Sequence, residues 1–124
     1  MLTVYLENAT LIWGAAPVYQ YARMMLEQIG AALREDHPGQ IVSIHAFGSR
    51  ARGDHNGDSD FDVLVVVRER TIDLEEQIIS RFVEQERTNG ISFDPVIKSV
   101  ESFEQERRYR TRFYENIMSE GIPV

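Results

Sequence analysis

Two aspartates separated by one residue, Asp60-Phe61-Asp62, stand at the head of the apolar run Phe61–Val67. In a strand, side chains two apart point to one face with Cα atoms ~7 Å apart, so both carboxylates face the same way. Such a pair offers hard oxygen donors to one shared divalent cation, or clamps two cations ~3.5–4 Å apart. Mg²⁺ or Mn²⁺ held in this manner keeps positions open for water and substrate phosphates. Without a cation, the paired acids repel and shift each other's proton affinity. The bland alternative is a solvated strand end.

The neighbouring residues argue against the bland reading. Upstream, Gly48-Ser49 ends another apolar run and opens what reads as one helical turn, Ser49-Arg50-Ala51-Arg52. Glycine lets backbone approach a ligand closely, and a strand-to-helix junction aims free N–H groups at an anion. Ser49 adds a hydroxyl, while Arg50 and Arg52 offer forked donors suited to phosphate. Alone, this is also compatible with a tight turn bearing two solvated arginines. A third acid, Asp94, lies within Ile91–Ile97. Ionised acids are seldom buried in apolar strands unless paired or metal-bound. If its strand neighbours the Asp60/Asp62 strand, three carboxylates meet: two ligands for metal and one base for a hydroxyl nucleophile. The alternative is an aspartate marking a bulge or turn before Pro95.

Two rival motifs fail. Asp58, Asp60, Asp62 and Glu69 match the spacing of an EF-hand calcium loop, but Val63 stands where that loop needs glycine. Gly48 and Gly53 begin a P-loop pattern, yet Asp54 and His55 occupy the Lys and Ser/Thr positions. A carboxylate there repels the phosphate that lysine would hold.

The elements that must position these residues follow from periodicity. Residues 1–13 alternate weakly at Leu2, Val4 and Leu6 and suggest a short strand. Pro17 to about Arg34 reads as a helix, with Val18, Tyr21, Met25, Ile29 and Leu33 at helical spacing, ended before Pro38. Ile41–Phe47 is a strand. Phe61–Val67 is so β-branched that it should lie centrally in a sheet. Asp73 and Glu76 form a capping box for a helix with inner stripe Leu74, Ile78, Ile79, Phe82 and Val83, closed by Asn89-Gly90. Ile91–Ile97 is a third strand, and Pro95 places it at an edge. One last helix spans about Ser102 to Glu120, with Phe103, Phe113, Tyr114, Ile117 and Met118 inward. The fold class is α/β (α+β), a small mixed sheet with helices packed on it.

Composition agrees and excludes. With 124 residues, 43% of them hydrophobic, the chain fits one domain that buries roughly two-thirds of its unfolded surface. No apolar run reaches the ~20 residues of a membrane span, and residues 1–14 lack a signal-peptide pattern. Zero cysteines exclude disulfides, thiolate zinc sites and cysteine nucleophiles, and fit a cytoplasmic location. The net charge of −7 is spread along the chain apart from a tight acidic cluster around Asp54–Asp62, and no part is strongly basic, so direct binding of duplex nucleic acid is not expected.

The residues Gly48-Ser49-Arg50-Ala51-Arg52-Gly53, followed by Ser59-Asp60-Phe61-Asp62-Val63-Leu64, resemble the GS-x-ARG…SD-x-D signature of minimal nucleotidyltransferases (MNT) in the DNA polymerase β superfamily. The later Phe113–Ile122 stretch is also similar. The resemblance covers residues 17–122, so a nucleotidyltransferase domain over 15–124 follows an N-terminal extension over 1–14. The resemblance implies a polymerase β-type nucleotidyltransferase fold and Mg²⁺-dependent transfer of a nucleoside monophosphate, AMP from ATP, onto a hydroxyl, with two Mg²⁺ ions or Mn²⁺. By position it implies Asp60, Asp62 and Asp94 as metal and catalytic residues, and Gly48, Ser49, Arg50, Arg52 and Ser59 around the nucleotide.

Larger relatives carry an extra helical domain that holds the acceptor, so the acceptor here is expected on a partner. Short members resemble the antitoxin half of a pair with a helical HEPN ribonuclease toxin, neutralised by AMP added to a tyrosine in a hetero-oligomer. The competing readings are a catalytically silent toxin-masking subunit and a transferase for a small acceptor such as an aminoglycoside. Weaker features have plainer readings. Glu104, Arg108 and Arg112 form an i, i+4 ladder beside Arg107 and Arg110, with a grip on nucleotide or an acidic partner as the alternative. Lys98 faces either solvent or phosphate. His45 is a packed histidine, His55 lies in the loop facing the site, and Trp13 and Tyr5 pack or form a partner patch.

Overall fold

The computed structural model of the protein describes residues 17–48 and 60–124, with side chains from residue 20 onward. The elements are α1 (Pro17–Asp36), β1 (Ile41–Phe47), β2 (Phe61–Val67), α2 (Ile72–Asn89), β3 (Phe93–Ser99), α3 (Val100–Tyr109), α4 (Arg112–Glu120) and β4 (Ile122–Pro123). Four strands form one mixed sheet in the order β3-β2-β1-β4. Among the described residues, no helix is long and apolar enough to cross a membrane. The expected strand over residues 1–13 and the polar loop before Ser59 lie outside the described residues.

The strand β2 is central, as its Val-rich run requires, and every residue of it except Asp62 is buried. It pairs antiparallel with β1 and parallel with β3. A parallel neighbour needs a crossover long enough to carry the chain back, and α2 supplies it. The edge position of β3 agrees with Pro95, which lacks the N–H for a second ladder. Each sheet face has its own cover. Alternate residues Phe61, Val63, Val65 and Val67 point into the larger core with Leu26, Ile29 and Leu33 of α1 and Leu74, Ile78 and Phe82 of α2. The intervening Leu64 and Val66 meet Ile117 of α4, with Phe47, Val96, Phe103 and Phe113 packed around them. The α3–α4 layer therefore covers the face to which Asp62 belongs.

Several boundaries differ from the sequence expectations for identifiable reasons. Helix α2 is capped by Thr71, whose hydroxyl accepts from the Leu74 N–H at 3.1 Å, and Asp73 lies inside the first turn. Its stripe is narrower than expected, because Ile79 and Val83 are 39% and 56% exposed. The end at Gly90, with φ 75°, is as expected. Strand β3 starts two residues later than Ile91. The single last helix is two: Arg110 adopts φ 49°, and Thr111 caps α4 through the Tyr114 N–H at 3.2 Å. Met118 consequently points outward, and the proposed Glu104–Arg108–Arg112 ladder is broken. Glu104 instead accepts from Arg107 Nε at 2.6 Å. Strand β4 was not anticipated, since two residues carry no periodicity and it exists only through pairing with His45 and Ala46.

Candidate active site

The parallel register sets Asp62 directly opposite Asp94, one step after Phe61 opposite Phe93. Both phenylalanines point into the large core, where their ring centroids lie 5.7 Å apart. Alternation then turns both aspartates to the other face. Asp60 lies one residue before β2, and the Phe61 N–H donates to the Ser92 carbonyl at 3.0 Å, tying the strand starts together. Asp60 and Asp94 are exposed, while Asp62 is half-buried. The exposure of Asp94 corrects the expectation of a buried acid in need of a partner: solvent alone can stabilise it.

Asp62 carries the electrostatic load. Burial raises its proton affinity first, and the charges of Asp94 and Asp60 raise it further. Three acids thus share one field at one end of the sheet. Among the described residues no group of three acidic or imidazole side chains is already gathered to cage a metal. The carboxylates share an edge and repel one another without closing a cage. That chemistry suits a divalent cation: hard oxygen donors, mutual repulsion for the cation to relieve, and open positions on the solvent side.

Gly48 sits where β1 ends, beside the antiparallel pair Phe47–Asp62. Its φ is +85°, and a Cβ there would collide with Oδ2 of Asp62. Only glycine fits this corner without displacing the carboxylate. Phe47 packs edge-on against Phe113 of α4 at 5.5 Å, so the second layer buttresses the strand end that carries Gly48. This aromatic support had no signal in the sequence beyond two apolar residues 66 positions apart. Ser49, Arg50, Arg52, Ser59 and His55 lie outside the described residues.

Two other polar residues on this side have settled surroundings. Lys98 pairs with Glu106 at 2.7 Å and lies 4.9 Å from the Phe113 ring centroid. It therefore anchors α3 and α4 to the sheet. Burial lowers the proton affinity of His45, and its Nδ1 is buried with no hydrogen-bond partner among the described residues. This agrees with a packed, neutral histidine. A cleft of about 520 Å³ between the end of α1 and α2, lined by Asp36, His37, Gln77 and Arg81 among others, contains none of the predicted site residues.

A mixed sheet with acids paired across its parallel strands and a glycine corner beside them defines a class, and comparison with known proteins identifies it. A family model described as nucleotidyltransferase domain matches residues 26–123; the chain belongs to this family and is a nucleotidyltransferase. It is 30% identical over 93 residues to Putative protein adenylyltransferase MJ0604 of Methanocaldococcus jannaschii, covering 73% of this chain and 84% of that protein. A solved structure described as a putative minimal nucleotidyltransferase is 28% identical with a TM-score of 0.53, over 82% of this chain and 94% of the other. The toxin–antitoxin MntA-HpeT structure shares the fold at 16% identity and TM-score 0.50, over 79% and 70% of the respective chains.

Proposed function

We propose that this nucleotidyltransferase moves AMP from ATP onto a tyrosine hydroxyl of a partner protein, a HEPN-type ribonuclease toxin, and so acts as its antitoxin. The observation that carries the catalytic part is the register pairing of Asp62 with Asp94 beside Gly48. Protein as the acceptor is supported by the relative described as a protein adenylyltransferase, and a toxin partner by the shared fold of the toxin–antitoxin structure.

Asp60, Asp62 and Asp94 would hold Mg²⁺, which when bound neutralises triphosphate charge and polarises the phosphorus under attack. Gly48, with Ser49, Arg50, Arg52 and Ser59, would cradle the triphosphate. The acceptor oxygen attacks the α-phosphorus, its bond to the bridging oxygen breaks, and pyrophosphate leaves. Asp94, exposed and at the strand edge, takes the proton of the attacking hydroxyl.

The test is intact mass of the co-purified partner after incubation with ATP and Mg²⁺. An added AMP that localises to a tyrosine, and disappears with Asp60→Asn, is the expected result. A partner that stays unmodified yet is still silenced would establish the second reading, a masking subunit.

A further inference from the structure

Residues 107–112 carry four arginines and no acid, in a chain of net charge −7. They form the corner between α3 and α4, and Arg107, Arg108, Tyr109, Arg110 and Arg112 are all exposed, Tyr109 by 77%. Arg107 is held by Glu104, whose acid also feels Arg108. Among the described residues no ion pair engages Arg110 or Arg112.

Arg110 is the one described non-glycine residue with positive φ, at φ 49° and ψ 51°. Glycine would occupy this left-handed conformation at lower cost, and an arginine is held in it. The corner is stiff. The Arg110 N–H donates to the Arg107 carbonyl at 3.2 Å and the Thr111 N–H to the Glu106 carbonyl at 3.1 Å. The Thr111 hydroxyl donates to Glu106 Oε1 at 2.8 Å, and Lys98 takes the other Glu106 oxygen. The position is equally defined. Phe113 follows Arg112 directly and packs on Phe47, the register partner of Asp62. Phe113 also lies beside Lys98, the register partner of Val66, so the corner lies over the α3–α4 face of the sheet, the face to which Asp62 belongs.

We propose that this arginine corner docks an acidic segment of the acceptor protein on the α3–α4 face of the sheet; the proposal rests on the reading of a protein acceptor. Charge complementarity supplies the attraction, and forked guanidinium groups suit carboxylates. A short acidic segment fits the patch better than nucleic acid does. A long phosphate backbone would run from the corner onto a surface bearing Glu101, Glu104, Glu115 and Glu120, where like charges repel it.

The test is fluorescence anisotropy of a labelled hexaglutamate peptide against the full chain, compared with single-stranded RNA of equal charge. The peptide is expected to bind in a salt-sensitive way, more tightly than the RNA. Arg110→Gly, which suits the backbone, should weaken it by about fivefold without lowering the unfolding midpoint, and Arg110→Glu with Arg112→Glu by more. Unchanged peptide binding in both variants, tighter binding of RNA, or displacement of the peptide by ATP with Mg²⁺ would each overturn the proposal. Asp62→Asn should bind the peptide as the parent chain does. Arginine-dependent binding without any nucleotide transfer would leave the docking surface standing and remove only the catalytic reading.

Discussion

Asp62 and Asp94 face each other across the parallel strands β2 and β3, one half-buried and the other exposed. The asymmetry suits different duties. The sheltered acid suffers from its neighbours' charge, and the exposed one is open to solvent.

Asp62→Asn should stabilise the metal-free protein at neutral pH. Asp62 holds its proton more tightly in the folded chain than in the unfolded one, through burial and then the charges of Asp94 and Asp60. Native stability therefore falls as pH rises from the ordinary 3.8 through the raised folded value. Melting curves should show a higher midpoint for the variant near pH 7 and no gain at acid pH. Mg²⁺ should raise the parent midpoint and leave the variant's unchanged. A variant less stable at neutral pH would contradict this account of the site.

Gly48→Ala should cost stability and activity together. The new methyl must displace the Asp62 carboxylate, and alanine at φ +85° adds backbone strain. Together these predict a loss of about 1–3 kcal/mol in denaturant unfolding, with nucleotide transfer reduced more than the unfolded fraction explains. A silent substitution would mean that the corner does not constrain Asp62.

Glu106→Gln should flatten the acid limb of the stability profile. Burial alone would raise the proton affinity of Glu106, but the bonds from Lys98 and Thr111 outweigh it and lower the net value. The stabilisation is present above the ordinary 4.5 and is lost as pH falls through the depressed folded value. Urea titrations across that range should show a shallower decline for the variant. Parallel profiles would place the lost protons elsewhere.

The sequence was most legible where periodicity and composition agree. The bounds of β1 and β2, the central place of β2 and the edge place of β3 follow from branched apolar runs and from Pro95. The turn at Arg110 was hidden because arginine carries no signal for a left-handed backbone. The α2 stripe was overdrawn at Ile79 and Val83, since spacing cannot show how wide a face the sheet will cover. Asp60 and Asp62 were conspicuous as a pair. Their relation to Asp94 is a matter of strand register, which only the assembled sheet defines, and the same holds for Phe47 against Phe113.

The two sides of the sheet differ in how much apolar material they retain. Among the described residues the α1/α2 side gathers 17 buried residues in its cluster and the α3/α4 side three, so of the two described layers the second is the cheaper one to lift away. Amide hydrogens of α3 and α4 will then exchange with solvent through a partial opening that leaves the β2 amides locked. Such an opening would move the α3–α4 corner as one stiff piece and leave intact the platform on which the acids stand.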